Sequence, residues 1–387
     1  MKILSISDLS FTGGAAIAGN RISDALKKNG ADVIKLSSDG RISKEQKVLF
    51  NGKKFSALYN LLSPLISSTK AKSLLDNNLN QQFRKFLQQE KFDVINIHNL
   101  HSAGWPISLV SRALEYAPVV WTLHDCWSFL GSFYPSDCPA PCDSLEFEIK
   151  SFWQAIKSTQ PKHSLAAVTP SDWMNNEASS SHWNSFKVQT IHNPVPKTFF
   201  ELLDRQSCKK ALGLSLEKPI FLSIAGNLNE ERKGGPILRE ILESDAKDQC
   251  QFLLIGEGNQ FNDPKIKSLG YVNDEITLRI AYHAADVLLH PAQVDNLPNT
   301  VAESMSCGTP VIAFNTGGLP EMVIPNKTGW LVEKLTVQLM TKEIHSIIKS
   351  KQANELREST KETALKLFNE EKVADAYFKA FKLALSE

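Results

Sequence analysis

The chain has 387 residues, room for two or three domains of about 150 residues each, and its composition is that of an ordinary globular protein. Lys and Arg number 43 against 42 Asp and Glu, which excludes a nucleic-acid partner drawn by overall positive charge and leaves any bound anion to a local site. No apolar run approaches the roughly 18 residues that a membrane span requires.

The amino terminus, "MKILSISDLS", alternates apolar and polar residues after one Lys and lacks the apolar run and cleavage site of a signal peptide, so it reads as a strand. Short runs rich in Ile, Val and Leu follow at "DVIKLS", "DVINIH", "VVWTLH", "LAAVTP" and "VQTIHN", separated by segments of helical periodicity. After "IHNPVPKTFF" the pattern starts again with "PIFLSIAG", "QFLLIGEG", "DVLLHPA", "PVIAF" and "TGWLV". Such alternation predicts an α/β protein with two doubly wound, Rossmann-like domains facing across a cleft. The expected division is 1–195, 196–366, and a terminal helix over 367–387 that crosses back to the first domain. That helix carries Val373, Ala376, Tyr377, Ala380, Phe381 and Ala384 on one stripe.

One segment breaks the rhythm. From Arg41 to Lys91 there are ten Lys or Arg against three Asp or Glu, with the apolar stretch "FSALYNLLSPLISS" among them. Two readings stay open: a helical excursion whose apolar face joins the core, or a basic surface that rests on anionic lipid. The six cysteines, Cys126, Cys138, Cys142, Cys208, Cys250 and Cys307, are scattered rather than arranged as a disulfide framework, which points to a reducing, cytoplasmic location. The spacing of the first three is not a usual zinc pattern, and no metal is expected there.

Ligands of doubly wound sheets lie beyond the carboxyl ends of the strands. The most informative stretch there is "DNLPNTVAESMSCGTPV", Asp295 to Val311. Pro298 suits a first helical turn, and Gly308 followed by Pro310 marks the stop, so a helix of about ten residues is predicted. Its amino end attracts phosphate. Glu303, more than a turn inside, suits the acceptance of hydrogen bonds from paired hydroxyls, and Asp295 suits a second polyol. The arrangement predicts a diphosphate between two hydroxyl-rich rings, that is, a sugar nucleotide. Arg232 and Lys233, just before Gly234 and Gly235, supply positive charge. In the first half, Gly13 and Gly14 open a helix and permit close backbone approach.

The blocks "TGGAAIAGNRISDALKKNGADV", "VVWTLHDCWSFLG", "VTPSDW", "IHNPV", "RKGG", "DNLPNTVAESMSCGTPVIAFNTGGLPEMV" and "TGWLV" resemble, in that order, the retaining nucleotide-sugar glycosyltransferases of family 4, which have the GT-B fold. The bacterial branch that builds capsule, exopolysaccharide and O-antigen is the nearest in kind. The resemblance implies that Glu303 holds the ribose hydroxyls and that Asp295 holds a hydroxyl of the transferred sugar. It implies that Lys233 holds the diphosphate, with the backbone of Gly13, Gly14 and of Leu297, Pro298, Asn299 and Thr300. Asn296 lies in the same donor-binding run, Asn315 to Leu319 flank the donor, and His124 sits near the reactive carbon. On this carry-over His124, Lys233 and Asp295 form the catalytic set. Two positions depart from the family: Asp295 stands where Glu is frequent, and the usual arginine falls on Asn227, with Arg232 as its substitute.

By the same resemblance, configuration is retained, and a phosphate oxygen takes the acceptor proton. No Asp-x-Asp motif is present, and neither a cofactor nor an essential metal is expected. The expected partners are a nucleoside-diphosphate sugar, a glycan or polyprenyl-linked acceptor, and an anionic membrane surface met through Arg41 to Lys91 from the cytoplasmic side. Ser128 to Asp143 reads as a loop near the acceptor, with Trp127, Phe129, Phe133 and Tyr134 as stacking surfaces for a sugar. His98 and His101 read as neighbours of the site, and His192 and His290 as structural. The alternatives are a nucleotide-sugar epimerase of the same fold and a non-catalytic sugar-nucleotide or glycan-binding protein. A nicotinamide dehydrogenase is disfavoured, because no strand is followed by G-x-G-x-x-G with an acid about 20 residues on.

Overall fold

The computed structural model describes residues 1–10, 13–39, 44–48, 68–135, 143–159, 161–258 and 263–386. The chain divides into two compact units. One comprises Met1–Pro194 with Glu371–Glu387, and the other Val195–Glu370.

Unit 1 is built on seven strands: β1 (Lys2–Ser7), β2 (Asp32–Ser37), β3 (Gln46–Val48), β4 (Val94–Asn99), β5 (Val119–Thr122), β6 (Leu165–Thr169) and β7 (Lys187–Thr190). All pairs are parallel, in the order β3-β2-β1-β4-β5-β6-β7. Because side chains alternate across a strand, each strand feeds two cores. Leu4, Ile6, Ile34, Leu36, Ile95, Ile97, Val119 and Trp121 enter one core. Ile3, Val33, Val94, Val120 and Val168 enter the other, where they meet Ile22 and Leu26 of the helix Gly14–Lys28 and Val373, Tyr377 and Phe381 of the terminal helix Glu370–Leu385.

The terminal helix is also tied by a polar contact. The Tyr377 hydroxyl lies 3.1 Å from Thr122 Oγ1, which in turn accepts from Asn96 Nδ2 at 3.1 Å, all of it buried. Tyr377→Phe should therefore cost unit 1 about 1 kcal/mol, and thermal unfolding should report a midpoint about 2–4 °C lower. An unchanged midpoint would show that this tie contributes nothing.

Unit 2 is built on six strands: β8 (Ile220–Asn227), β9 (Gln251–Glu257), β10 (Ile266–Ser268), β11 (Val287–His290), β12 (Val311–Phe314) and β13 (Gly329–Val332). These too are all parallel, in the order β10-β9-β8-β11-β12-β13. The same alternation sends Leu222, Leu253, Leu288 and Val311 to one core and Phe221, Phe252, Leu289 and Ile312 to the other. Val195 and Asn369 pair as a parallel bridge, so the chain enters and leaves this unit side by side.

Two strands have no counterpart in the sequence reading. β3 and β10 are three-residue edge strands, "QKV" and "IKS", too short and too polar to show a periodicity. Much of the basic excursion, including "FSALYNLLSPLIS", lies outside the described residues, as do Cys138 and Cys142. Its described second half is the helix Ser68–Gln89, whose Leu75, Leu79, Phe83 and Leu87 recur every fourth residue and are buried, the last three in the core cluster of the sheet. For that half the core reading holds.

Candidate active site

In unit 2 the polar residues gather where β8 and β11 end. The loop after β8 is stitched to the loop after β11 by two hydrogen bonds. Gln293 N donates to the Arg232 carbonyl at 2.8 Å, and Gln293 Nε2 donates to the Glu231 carbonyl at 3.1 Å. Gly234, at φ 77°, lies so close to Pro291 that a Cβ there would stand 1.9 Å from the Pro291 carbonyl oxygen, so no other residue fits. This contact delivers Lys233 to Asp295: Nζ donates to Oδ2 at 2.5 Å, although 62 positions separate the two residues in the chain. The loop 315–319 closes on the same acid. Gly318 N donates to the Asp295 carbonyl at 2.9 Å, and Gly317, at φ 56°, would place a Cβ 2.0 Å from that oxygen.

Asp295 is 4% exposed, and its Oδ1 accepts from Asn296 N at 3.1 Å. Burial alone would push its carboxyl up. The Lys233 charge, His290 and Arg232 together outweigh it and hold the group far below the usual carboxylate range. His290 Nε2 lies 3.4 Å from Asp295 Oδ2. Burial pushes this imidazole down more than Asp295 raises it, so it is neutral near pH 7. His290, read from the sequence as structural, is thus a direct neighbour of Asp295. The available signal was its position at the carboxyl end of "DVLLH", where ligands of doubly wound sheets lie.

The helix after Asp295 runs over Asn299–Ser306, shorter than the predicted ten residues, with Pro298 as the residue just before it. Asn296, Leu297 and Pro298 are buried, while Asn299 and Thr300 are partly exposed. Glu303 is 5% exposed, and its Oε2 accepts from the Tyr282 hydroxyl at 2.8 Å, a partner that sequence reading missed. Arg232 Nη2 donates to Glu230 Oε1 at 2.6 Å, and Asn227 Oδ1 accepts from Asn229 N at 2.9 Å.

In unit 1 the corresponding strand ends carry histidines. Ile97 pairs with Trp121 in the parallel β4–β5 register, and His98 and His124 follow one and three residues beyond that pair. His98 Nδ1 lies 3.2 Å from His124 Nε2. Burial drives His124 down to about 4 and holds His98 well below the ordinary imidazole value, so both are neutral at pH 7. Gly13 and Gly14 are exposed at the start of the helix Gly14–Lys28. His192 Nδ1 meets the Pro170 carbonyl at 2.7 Å. Of the four aromatic residues read as stacking surfaces, Trp127 and Phe129 are turned inward by the short helix Trp127–Leu130, and Tyr134 is buried beyond it, stacked on Trp173. Phe133 alone is open, at 50% exposure. Among the described residues, Cys126, Cys208, Cys250 and Cys307 are buried free thiols, and no three His, Cys, Asp or Glu side chains converge as a metal site.

Two parallel sheets, each covered on both faces and each ending in a polar cluster at its strand ends, define a protein with two doubly wound α/β units. The sequence profile of Glycosyltransferase Family 4 matches residues 12–199, and that of Glycosyl transferases group 1 matches residues 204–367. The chain belongs to the family 4 glycosyltransferases, has the GT-B fold and is a glycosyltransferase.

Curated relatives include N-acetyl-alpha-D-glucosaminyl L-malate synthase of Bacillus anthracis, 22% identical over 78% of this chain and 77% of that protein. A second is named for colanic acid biosynthesis, the glycosyl transferase WcaC of Escherichia coli, 24% identical over 69% and 70%. A third is a 41.2 kDa protein of the Klebsiella pneumoniae cps region, 22% identical over 99% of each chain. Among solved structures, sucrose-phosphate synthase from Thermosynechococcus elongatus superposes with a TM-score of 0.74 at 19% identity, over 100% of this chain and 99% of that one. Anabaena HepE in complex with UDP-glucose gives 0.69 at 15% identity over 99% of each. Among the described residues no helix is long and apolar enough to cross a membrane.

Proposed function

We propose that this glycosyltransferase takes its sugar from a nucleoside-diphosphate donor and passes it, with retention of configuration, to a glycan or lipid-linked acceptor in surface polysaccharide synthesis. The observation that carries the reading is the cluster of Lys233, Asp295 and His290 at the strand ends of unit 2, with Glu303 one helix turn beyond. The neighbour crystallised with UDP-glucose supports the donor class. The relatives named for colanic acid synthesis and for the cps region support the polysaccharide context.

In this reading Glu303 accepts hydrogen bonds from the ribose hydroxyls, and Asp295 accepts from a hydroxyl of the transferred sugar. Cleavage of the bond from the anomeric carbon to phosphate puts positive charge on the sugar ring and negative charge on the departing diphosphate. Lys233, Arg232 and the amino end of the helix Asn299–Ser306 stabilise that diphosphate, with Gly13 and Gly14 offering backbone N–H groups. A diphosphate leaves without a general acid, and the residues present call for no cofactor. His124, neutral, donates or accepts a hydrogen bond at the sugar without adding charge. The basic stretch from Arg41 to Lys91 would meet anionic lipid on the cytoplasmic side when the acceptor is lipid-linked.

The test is the anomeric configuration of the product, read by proton NMR from the coupling at the new linkage. The α configuration of an α-linked donor should be kept. A product of inverted configuration, or free sugar alone when acceptors are supplied, would overturn the proposal.

A further inference from the structure

Tyr282 belongs to the helix Glu275–Ala284, which precedes β11, and its side chain is fully buried. It lies in the core of Leu222 and Leu288, with its ring centroid 6.3 Å from that of Phe199. A buried tyrosine hydroxyl needs a polar partner. Here the partner is the Glu303 carboxylate, 21 positions along the chain on the helix Asn299–Ser306, and the hydroxyl donates to its Oε2 at 2.8 Å. The backbone of the same tyrosine is held too. Its carbonyl accepts from Thr309 Oγ1 at 2.7 Å. Thr309 is in turn tied to the Glu303 helix, because its N donates to the Ser304 carbonyl at 2.9 Å and Ser304 Oγ donates to the Thr309 carbonyl at 3.0 Å. Tyr282 therefore fixes that helix at two points, one through its hydroxyl and one through its backbone.

The contact orients the carboxylate as well as the helix. A glutamate side chain has several rotatable bonds, and ordering them during binding opposes affinity, a cost that a hydrogen bond made beforehand removes. A carboxylate only accepts, at roughly four lone-pair sites, of which Tyr282 takes one. A held, buried carboxylate is matched by two neighbouring hydroxyls that both donate, as on the 2′ and 3′ carbons of a ribose. A 2′-deoxyribose brings one donor fewer. A buried acceptor short of its donor costs more than the missing bond would have contributed, and Glu303, at 5% exposure, has little access to water that would fill the place.

Resting on the reading of Glu303 as the ribose acceptor, we propose that Tyr282 is the positioning residue that makes this site selective for ribonucleotides. Fully buried, Tyr282 does not itself touch the donor. It holds Glu303 in the orientation in which both ribose hydroxyls donate to the carboxylate. The donor is then a ribonucleoside-diphosphate sugar, and deoxythymidine-diphosphate sugars are excluded. This selectivity arises within unit 2 alone, from a hydroxyl behind the carboxylate that meets the ribose.

The experiment titrates UDP, GDP, ADP and their 2′-deoxy forms into wild type, Tyr282→Phe, Glu303→Ala and the double variant by calorimetry, each variant first shown to be folded by circular dichroism. In wild type, the ribonucleotide that binds should do so about 10-fold more tightly than its deoxy form. Tyr282→Phe keeps the ring and removes only the hydroxyl. It should bind that ribonucleotide about 5-fold more weakly and the deoxy form within about twofold of wild type, so that the preference falls to about 2-fold. Glu303→Ala should show no preference, and adding Tyr282→Phe to it should change nothing further, as for two residues that act through one contact. An unchanged preference in Tyr282→Phe, an equal loss for ribose and deoxyribose forms, or a wild type without preference would overturn the proposal, while weaker binding by Glu303→Ala would still uphold the donor site. A wild type that binds none of these nucleotides removes the donor site itself, and this proposal falls with it.

Discussion

Lys233→Met is expected to reduce sugar transfer by about 10²–10³-fold, the loss seen when one preorganised charge stabiliser is removed from a transition state. It should also destabilise unit 2. Asp295 is 4% exposed and ionised, and Lys233 is the largest of the charges that keep it so. Removing one partner of a buried pair leaves the other charge uncompensated, which costs about 3–5 kcal/mol when both are fully buried. A quarter of the Lys233 side chain reaches solvent, so the expected loss is about 2–3 kcal/mol. The double variant Lys233→Met/Asp295→Asn separates the two effects. It should regain most of the stability, since no buried charge is left, and none of the activity. Urea unfolding and a transfer assay on wild type and the two variants make the comparison. Full activity in Lys233→Met would remove the diphosphate role assigned to it.

The second large effect is a loss of stability in mild acid. His98, His124, His283 and His290 are all held below the ordinary imidazole value of 6.5, chiefly by burial. A histidine with a lower pKa folded than unfolded binds fewer protons in the native state. Its contribution is therefore complete above pH 6.5 and is lost as pH falls from there toward the folded value. His124 and His283, each at about 4, should each cost about 2 kcal/mol by pH 5. Asp76, pushed up to about 6 by burial, runs the other way, as does Asp8, and offsets part of that loss. The net expectation is a fall in stability between pH 7.5 and pH 5. It should be visible as lower urea midpoints for both units, since each holds two of these histidines. Equal midpoints at the two pH values would contradict the burial of neutral imidazoles.

Much of the sheet architecture was legible because parallel strands covered on both faces are near-continuous apolar runs. "DVIKLS" coincides with β2 from Asp32 to Ser37, and "KILSIS" with β1. The strands that escaped notice, β3 and β10, lie at sheet edges, where the demand for apolar residues is weak. The acids Asp295 and Glu303 stood out through their spacing around Pro298.

What the sequence hides is contact between distant residues. Nothing in "ERKGG" says that Lys233 will lie against Asp295. That follows from Gly234 resting on Pro291, a contact between two loops that only the β8–β11 adjacency creates. The aromatic cluster was hidden for a related reason: Trp127, Phe129 and Tyr134 read alike with Phe133, and only the folded path of residues 127–134 decides which ring faces out. His290 was overlooked although its strand-end position was visible, because its meaning depends on Asp295 lying 3.4 Å away.

Calorimetric titration of UDP, GDP, ADP and dTDP into wild type and Glu303→Ala tests the donor site most directly. Glu303 is buried beside Tyr282, and the ribose hydroxyls are expected to complete its hydrogen bonds. One nucleotide should bind with micromolar affinity, and Glu303→Ala, folded as judged by circular dichroism, should bind it about 30-fold more weakly, a loss of about 2 kcal/mol. A folded wild-type protein that binds none of the four nucleotides, or a variant that binds as tightly as wild type, would contradict the donor site built around Lys233, Asp295 and Glu303.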